Sequence, residues 1–231
     1  MVSNVALIIV DLQEDFLPPN GSLAIQSARS IIPKINNLIT SKSYNWSTII
    51  ATQDWHPQTH ASFASQHNQR PFTTKTFQHP EKRLNPNTGE IIEINQTLWP
   101  DHCVENTFGS SLEKSFHDNF NQLENKAKII IKKGYLQDRE YYSAFQDCWH
   151  LHKTELENYL RQLNIEKVVF VGLAYDFCVL NSAIDCSKLD FKTYVLKDYC
   201  RSVYPDKFVE TDTEYMKNGV EVIEGIHIPE L

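Results

Sequence analysis

Apolar residues along this chain fall into short unbroken runs, separated by stretches in which they recur every three or four positions. The runs are VALIIV (5–10), STIIAT (47–52), KIIIKK (128–133), KVVFVG (167–172), FKTYVL (191–196) and GVEVI (219–223). They are rich in β-branched residues and nearly continuous rather than alternating, the pattern of strands covered on both faces. Between them, ARSIIPKINNLITSK (28–42) places Ile31, Ile32, Ile35, Leu38 and Ile39 on one helical stripe. TELENYLRQLN (154–164) does the same with Leu156, Tyr159, Leu160 and Leu163, and 178–189 with Val179, Ala183 and Cys186. PDKFVETDTEYMKNG (205–219) opens on proline and stops at glycine, the punctuation of a helix. This alternation predicts an α/β chain with a parallel sheet and helices on both faces. With no repeat, low-complexity tract or boundary in view, 1–231 reads as a single domain.

Residues 54–109 break the rhythm. They are rich in Pro, Asn, Gln and His, with a turn signal at Asn87-Thr88-Gly89. An irregular insert of this length after the second strand is expected to form a metal- and pocket-forming wall or lid, not a linker.

Ligands of open parallel sheets bind beyond the carboxyl ends of the strands. The polar residues that follow each run are therefore the candidates for chemistry. Asp11 follows the first run, Gln53, Asp54, Trp55 and His56 the second, and Lys132 and Lys133 close the third before Gly134. The fourth leads through Gly172 to Cys178, at the opening of a predicted helix. Singly, each has an ordinary reading: a turn aspartate, a solvated lysine, a packing cysteine. Together on one rim, acid, ammonium and thiol are the parts of an activated nucleophile. A helix N-terminus and a nearby ammonium favour a thiolate, a carboxylate can carry its proton, and turn N–H groups can hold an oxyanion.

Asp54 and His56 stand two residues apart, so in an extended segment both face one side and can ligate one metal ion. His102, in the loop LWPDHCV (98–104), is the candidate third ligand among nine histidines. A set of one carboxylate and two imidazoles with open positions suits zinc or a similar divalent ion. His60 is a candidate for supporting that group from behind.

Composition acts mainly by exclusion. A net charge of -7 argues against nucleic acid or an anionic membrane as partner. VALIIV is too short for a secretory leader's core, no run approaches a membrane span, and 229–231 is not a peroxisomal address. Five cysteines, an odd number without framework spacing, point to a reduced intracellular setting, cytoplasmic or also nuclear. Cys103, Cys148, Cys186 and Cys200 carry no argued role beyond packing. Nothing here fixes the oligomeric state, and a homo-oligomer remains open.

DLQEDF (11–16), DWH (54–56), PDHC (100–103), KKG (132–134), GYLQDREYYSAF (134–145) and GLAYDFCV (172–179), read in order, resemble the nicotinamidases of the isochorismatase-like cysteine hydrolases, fungal type. The resemblance covers nearly the whole chain. It implies a six-stranded, mostly parallel sheet in a three-layer α/β/α sandwich. It implies Asp11, Lys133 and Cys178 as the catalytic triad, with Lys133 preferred over Lys132 because it precedes the glycine. It also implies a zinc-like ion on Asp54, His56 and His102, and a cis peptide at Leu173–Ala174 that aims the N–H groups of Ala174 and Cys178 at an oxyanion. Phe16, Trp99, Tyr142 and Phe177 would wall an aromatic pocket. The implied activity is hydrolysis of nicotinamide, with pyrazinamide not distinguished from it, through a cysteine thioester in NAD salvage. Two alternatives remain at this point: a metal-water amidohydrolase in which Cys178 is packing, and a non-catalytic binding module.

Overall fold

The computed structural model describes residues 4–124 and 126–226; the tripeptide 229–231 lies outside them. The first half of the chain runs β1 (Val5–Val10), α1 (Ile32–Thr40), β2 (Thr48–Asp54), β3 (Thr74–Gln78), β4 (Glu93–Thr97) and α2 (Lys114–Asn121). The second half runs β5 (Ala127–Lys133), α3 (Leu156–Gln162), β6 (Lys167–Leu173), α4 (Cys178–Lys188), β7 (Lys192–Arg201), α5 (Phe208–Lys217) and β8 (Glu221–Ile223). Six strands form one sheet in the order β5-β2-β1-β6-β7-β8, and every neighbouring pair is parallel.

All six residues of β1 and all seven of β2 are buried, which is why their runs are apolar without alternation. Leu7 and Ile9 of β1 face one layer, with Ile35 and Leu38 of α1 and Phe116 and Phe120 of α2. Ala6, Ile8 and Val10 face the other, with Leu156 and Leu160 of α3, Val179 and Ala183 of α4 and Tyr215 of α5. Ile35 and Leu38 are fully buried; each such side chain contributes about 1.5–3 kcal/mol. The stripes expected on 28–42, 154–164 and 178–189 therefore do face the sheet, and the helix expected in 205–219 packs there through Tyr215. Their helices are shorter than those stretches, and residues 28–31 and 205–207 form tighter 3₁₀ turns.

Two elements are additions to the sequence reading. Helix α2 buries only Phe116 and Phe120 and starts where the Glu113 carboxylate accepts the Phe116 N–H at 2.8 Å. Its apolar stripe is too narrow to signal a helix. The insert also holds an antiparallel hairpin, β3–β4, paired from Thr74↔Thr97 to Gln78↔Glu93. One face of that hairpin is exposed and polar, and the other is only half-buried with a single apolar pair, Phe77 and Ile94, so hydrophobic periodicity does not reveal it.

The chain moves outward from β1 to β2 and β5, then returns to the other side of β1 with β6. Strand order thus reverses between β1 and β6, the place where open α/β sheets form a ligand crevice. The two strands approach closely there: Gly172 has φ +114, and a Cβ on it would collide with the Val10 backbone. Only glycine fits.

Candidate active site

Three strand ends deliver the triad. Asp11 follows β1 with φ 47, a left-handed turn that swings its side chain over the sheet edge. Lys133 ends β5, and Cys178 opens α4, five residues after β6 ends. All three are buried. The Lys133 ammonium lies 2.8 Å from Asp11 Oδ2, 2.5 Å from Asp54 Oδ1, 3.1 Å from the Tyr141 carbonyl and 3.4 Å from Cys178 Sγ. It donates to Asp54, to Tyr141 and to the sulfur; Asp11 Oδ2 touches it as an ion pair without hydrogen-bond alignment. Asp11 is held from the other side by Thr52, whose hydroxyl accepts the Asp11 N–H at 3.1 Å and donates to Oδ1 at 2.5 Å.

Burial pushes the Cys178 thiol well up, Lys133 pulls against it, and the nearby Asp11 and Asp54 carboxylates add to the rise. Burial also raises Asp11, against the pull of Lys133. Burial disfavours the charge on Lys133, but Asp11 and Asp54 outweigh it and keep the ammonium protonated. Sulfur and carboxylate share one buried site, so their titrations belong to the pair.

Beside the triad, Asp54 Oδ2 faces His56 Nε2 at 3.6 Å and His102 Nε2 at 3.9 Å. Each imidazole has its Nδ1 against a backbone carbonyl at 2.8 Å, Gly134 for His56 and Pro100 for His102. A carbonyl only accepts, so both Nδ1 atoms carry hydrogen, and in the neutral imidazoles both Nε2 atoms present lone pairs to the carboxylate. His56 Nε2 is buried without a hydrogen-bond partner. One carboxylate oxygen and two imidazole nitrogens thus converge within 4.8 Å of one another. Such an arrangement suits a cation. The local charge agrees: Asp11, Asp54 and buried Glu140 face a single ammonium, a deficit that a divalent ion would neutralise. Burial works against ionised Asp54, but the Lys133 ammonium holds its carboxyl far below the usual range. Gly134, with φ +74, backs the His56 ring where any Cβ would collide with it.

Trp55, between Asp54 and His56, points outward under the Lys132 ammonium, 3.3 Å from its ring centre. The strand's two-residue period thus separates Asp54 and His56 from Trp55, and Lys133 from Lys132. His60 stacks on His56 at 4.1 Å, accepts from Ser62 and donates to the Arg139 carbonyl, so it supports the group without offering it a lone pair. Burial holds His60 neutral, with its pKa down to about 4.

Above these groups is a cleft whose floor includes Asp54, His102, Glu140, Ala174 and Cys178. Phe16, Trp99, Tyr142 and Phe177 all line it. Trp99 meets Phe177 edge-on at 4.9 Å, and its indole N–H donates to the Tyr142 hydroxyl at 3.0 Å. The Leu173–Ala174 peptide is cis. Neither the Ala174 N–H nor the Cys178 N–H has a backbone acceptor among the described residues.

A model of the isochorismatase domain matches residues 5–226. The chain belongs to the isochorismatase family. It is 38% identical over 221 residues to a nicotinamidase of Saccharomyces cerevisiae, covering 94% of this chain and 98% of that one. The structure of the yeast nicotinamidase Pnc1p bound to the inhibitor nicotinaldehyde superposes with a TM-score of 0.87 at 36% identity, over 96% of this chain and 100% of that chain. A pyrazinamidase of Pyrococcus horikoshii in complex with zinc superposes with a TM-score of 0.70 at 28% identity, over 96% of this chain and 99% of that chain.

Within this isochorismatase fold, several site residues escape the sequence reading. Leu23, Ile25 and Val203 complete the apolar wall, but they look like any other core positions. Glu140 sits in QDRE beside the ion pair of exposed Asp138 with half-buried Arg139 and reads as surface charge, yet it is buried. Gln13, two residues after Asp11, is fully buried and touches Asp54. Its only signal is a carboxamide at i+2 from a strand-end acid.

Proposed function

We propose that this chain hydrolyses nicotinamide to nicotinate and ammonia, using Asp11, Lys133 and Cys178. The observation that carries the reading is the Lys133 ammonium within reach of Asp11, Asp54 and the Cys178 sulfur. The yeast relative supports the substrate. A flat pyridine ring suits the aromatic walls of the cleft.

Asp11 takes the thiol proton, and Lys133 stabilises the thiolate as it forms. The sulfur adds to the carboxamide carbon. The N–H groups of Ala174 and Cys178 receive the oxyanion. Asp11 passes its proton to the departing nitrogen, so ammonia leaves and a thioester remains. Water then adds to the thioester carbonyl while Asp11 accepts its proton. The carbon–sulfur bond breaks and the proton returns to the thiolate. Asp54, His56 and His102 would hold a divalent ion, zinc by analogy with the Pyrococcus relative. A bound ion supplies a Lewis-acidic point for the ring nitrogen's lone pair.

Ammonia release from nicotinamide tests the assignment, and Cys178→Ser tests the route. We expect turnover to fall on the order of 10⁴-fold or more with metal content unchanged. Substantial turnover by the serine variant would move the reaction to a metal-bound water. A native chain inert toward nicotinamide would overturn the substrate.

A further inference from the structure

Asp54 serves two partners at once: one carboxylate oxygen receives the Lys133 ammonium, and the other faces the two imidazoles. Its backbone lies where the sheet runs out. The β1–β2 ladder is last paired at Ile9↔Ala51, and the chain turns away from β2 at Asp11 with φ 47. On the opposite side β5 continues to the end, pairing Lys133 with Asp54. The Asp54 N–H and C=O point toward the vacated side. There the Gln13 carboxamide meets both: Oε1 accepts the Asp54 N–H at 2.8 Å, and Nε2 donates to the Asp54 carbonyl at 2.8 Å. The second Nε2 hydrogen goes to the Ser110 carbonyl at 2.9 Å, which also receives the Gln53 amide at 2.7 Å. A side-chain amide has the same donor and acceptor as a peptide group, so Gln13 extends the ladder after β1 has left it.

We infer that Gln13 is a positioning residue whose carboxamide replaces the missing strand, fixing Asp54 and, through it, both the cation group and the Lys133 ammonium. It touches neither substrate nor reacting atoms. The inference rests on the cation site proposed above. Outer partners that orient a metal ligand typically change affinity about 10–100-fold when removed.

The test is zinc affinity of the full-length protein, measured by competition with a chromophoric chelator, for the wild type, Gln13→Met and Gln13→Glu. Methionine keeps the length and removes all three bonds. Glutamate keeps an acceptor for the Asp54 N–H but sets oxygen against two carbonyls. We expect both to bind zinc about 10–100-fold more weakly, with a correspondingly smaller thermal shift on adding zinc. A merely structural role would lower the melting temperature of chelated protein and leave zinc affinity untouched. Either variant binding zinc within about twofold of wild type would overturn the role of Gln13 alone. A wild-type chain that takes no zinc would instead overturn the cation site. Should neither variant fold, hydrogen exchange at the Asp54 amide of the wild type decides: protection equal to the interior of β2 supports the extended ladder, and rapid exchange refutes it.

Discussion

Asp11, Lys133 and Cys178 reach the site from the ends of β1, β5 and β6, whereas His102 and Trp99 reach it from an insert pinned by bonds to distant residues. For the first group, sheet geometry does the positioning. Parallel strands in register end on one rim, and the two-residue period selects which side chains face inward. For the second group no such period exists. The His102 loop is held because the Cys103 N–H donates to Asp15 Oδ2 at 2.7 Å, and because the His56 N–H donates to the Cys103 carbonyl while the His56 carbonyl accepts the Glu105 N–H. Trp99 is fixed by backbone bonds with Ser62 and Ala64. The strand ends supply the proposed reacting groups, and the insert supplies a proposed metal ligand and a wall.

The contrast predicts unequal sensitivity, and Lys133→Met should show its upper end. Removing the ammonium leaves Asp11 and Asp54 as buried carboxylates without their shared partner. Breaking a buried ion pair costs about 3–5 kcal/mol, which a denaturant titration would read directly. Ammonia release should become undetectable. A methionine variant as stable as wild type would mean that the buried carboxylates are protonated or compensated otherwise, and the charge balance drawn here would be wrong.

The same contrast explains what the sequence made readable. All six sheet strands stand out as apolar runs, and β6 and β8 lie within two residues of the expected spans. Lys133 rather than Lys132 is the inward lysine because adjacent strand residues face opposite sides: Lys133 is buried, and Lys132 lies over Trp55. By contrast, β7 runs on to Arg201, past YVL into KDYC, since an irregularity between Phe170 and Gly172 shifts its register. Helix α2 and the β3–β4 hairpin are hidden because neither has a broad apolar face. Glu140 and Gln13 are hidden because burial of a polar side chain depends on partners far along the chain.

Asp15→Ala sharpens the insert side of the comparison. It removes the acceptor of the Cys103 N–H, a group next to His102, and leaves every strand-borne residue in place. We expect a loss of stability of about 1–3 kcal/mol, the cost of stranding a buried donor. Zinc affinity should fall about 10-fold, as for other supports of a metal ligand, and kcat/KM with it. Isothermal competition binding and initial rates with added zinc separate the two: saturating zinc should restore most of the activity. If zinc restores nothing, the loop does more than carry His102.

The smallest effect is expected at the far end of the same insert. The tip of the β3–β4 hairpin is closed by the Asn85 N–H donating to the Glu90 carbonyl at 2.8 Å, with Gly89 at φ +71 in open space. Residues 86–89 are exposed or nearly so and line none of the catalytic cleft. Because Asn85 and Glu90 already pair, a two-residue Asn-Gly turn can join them in place of 86–89. Closing a loop shorter by two residues changes its entropy by well under about 1 kcal/mol, and exposed substitutions away from caps and cores stay within about 0.5 kcal/mol. Stability and kcat/KM should therefore remain within those limits and about twofold, respectively. A larger fall in kcat/KM with stability unchanged would show that the hairpin tip takes part in closing the cleft. The division between a reactive sheet edge and a supporting insert would then have to be redrawn.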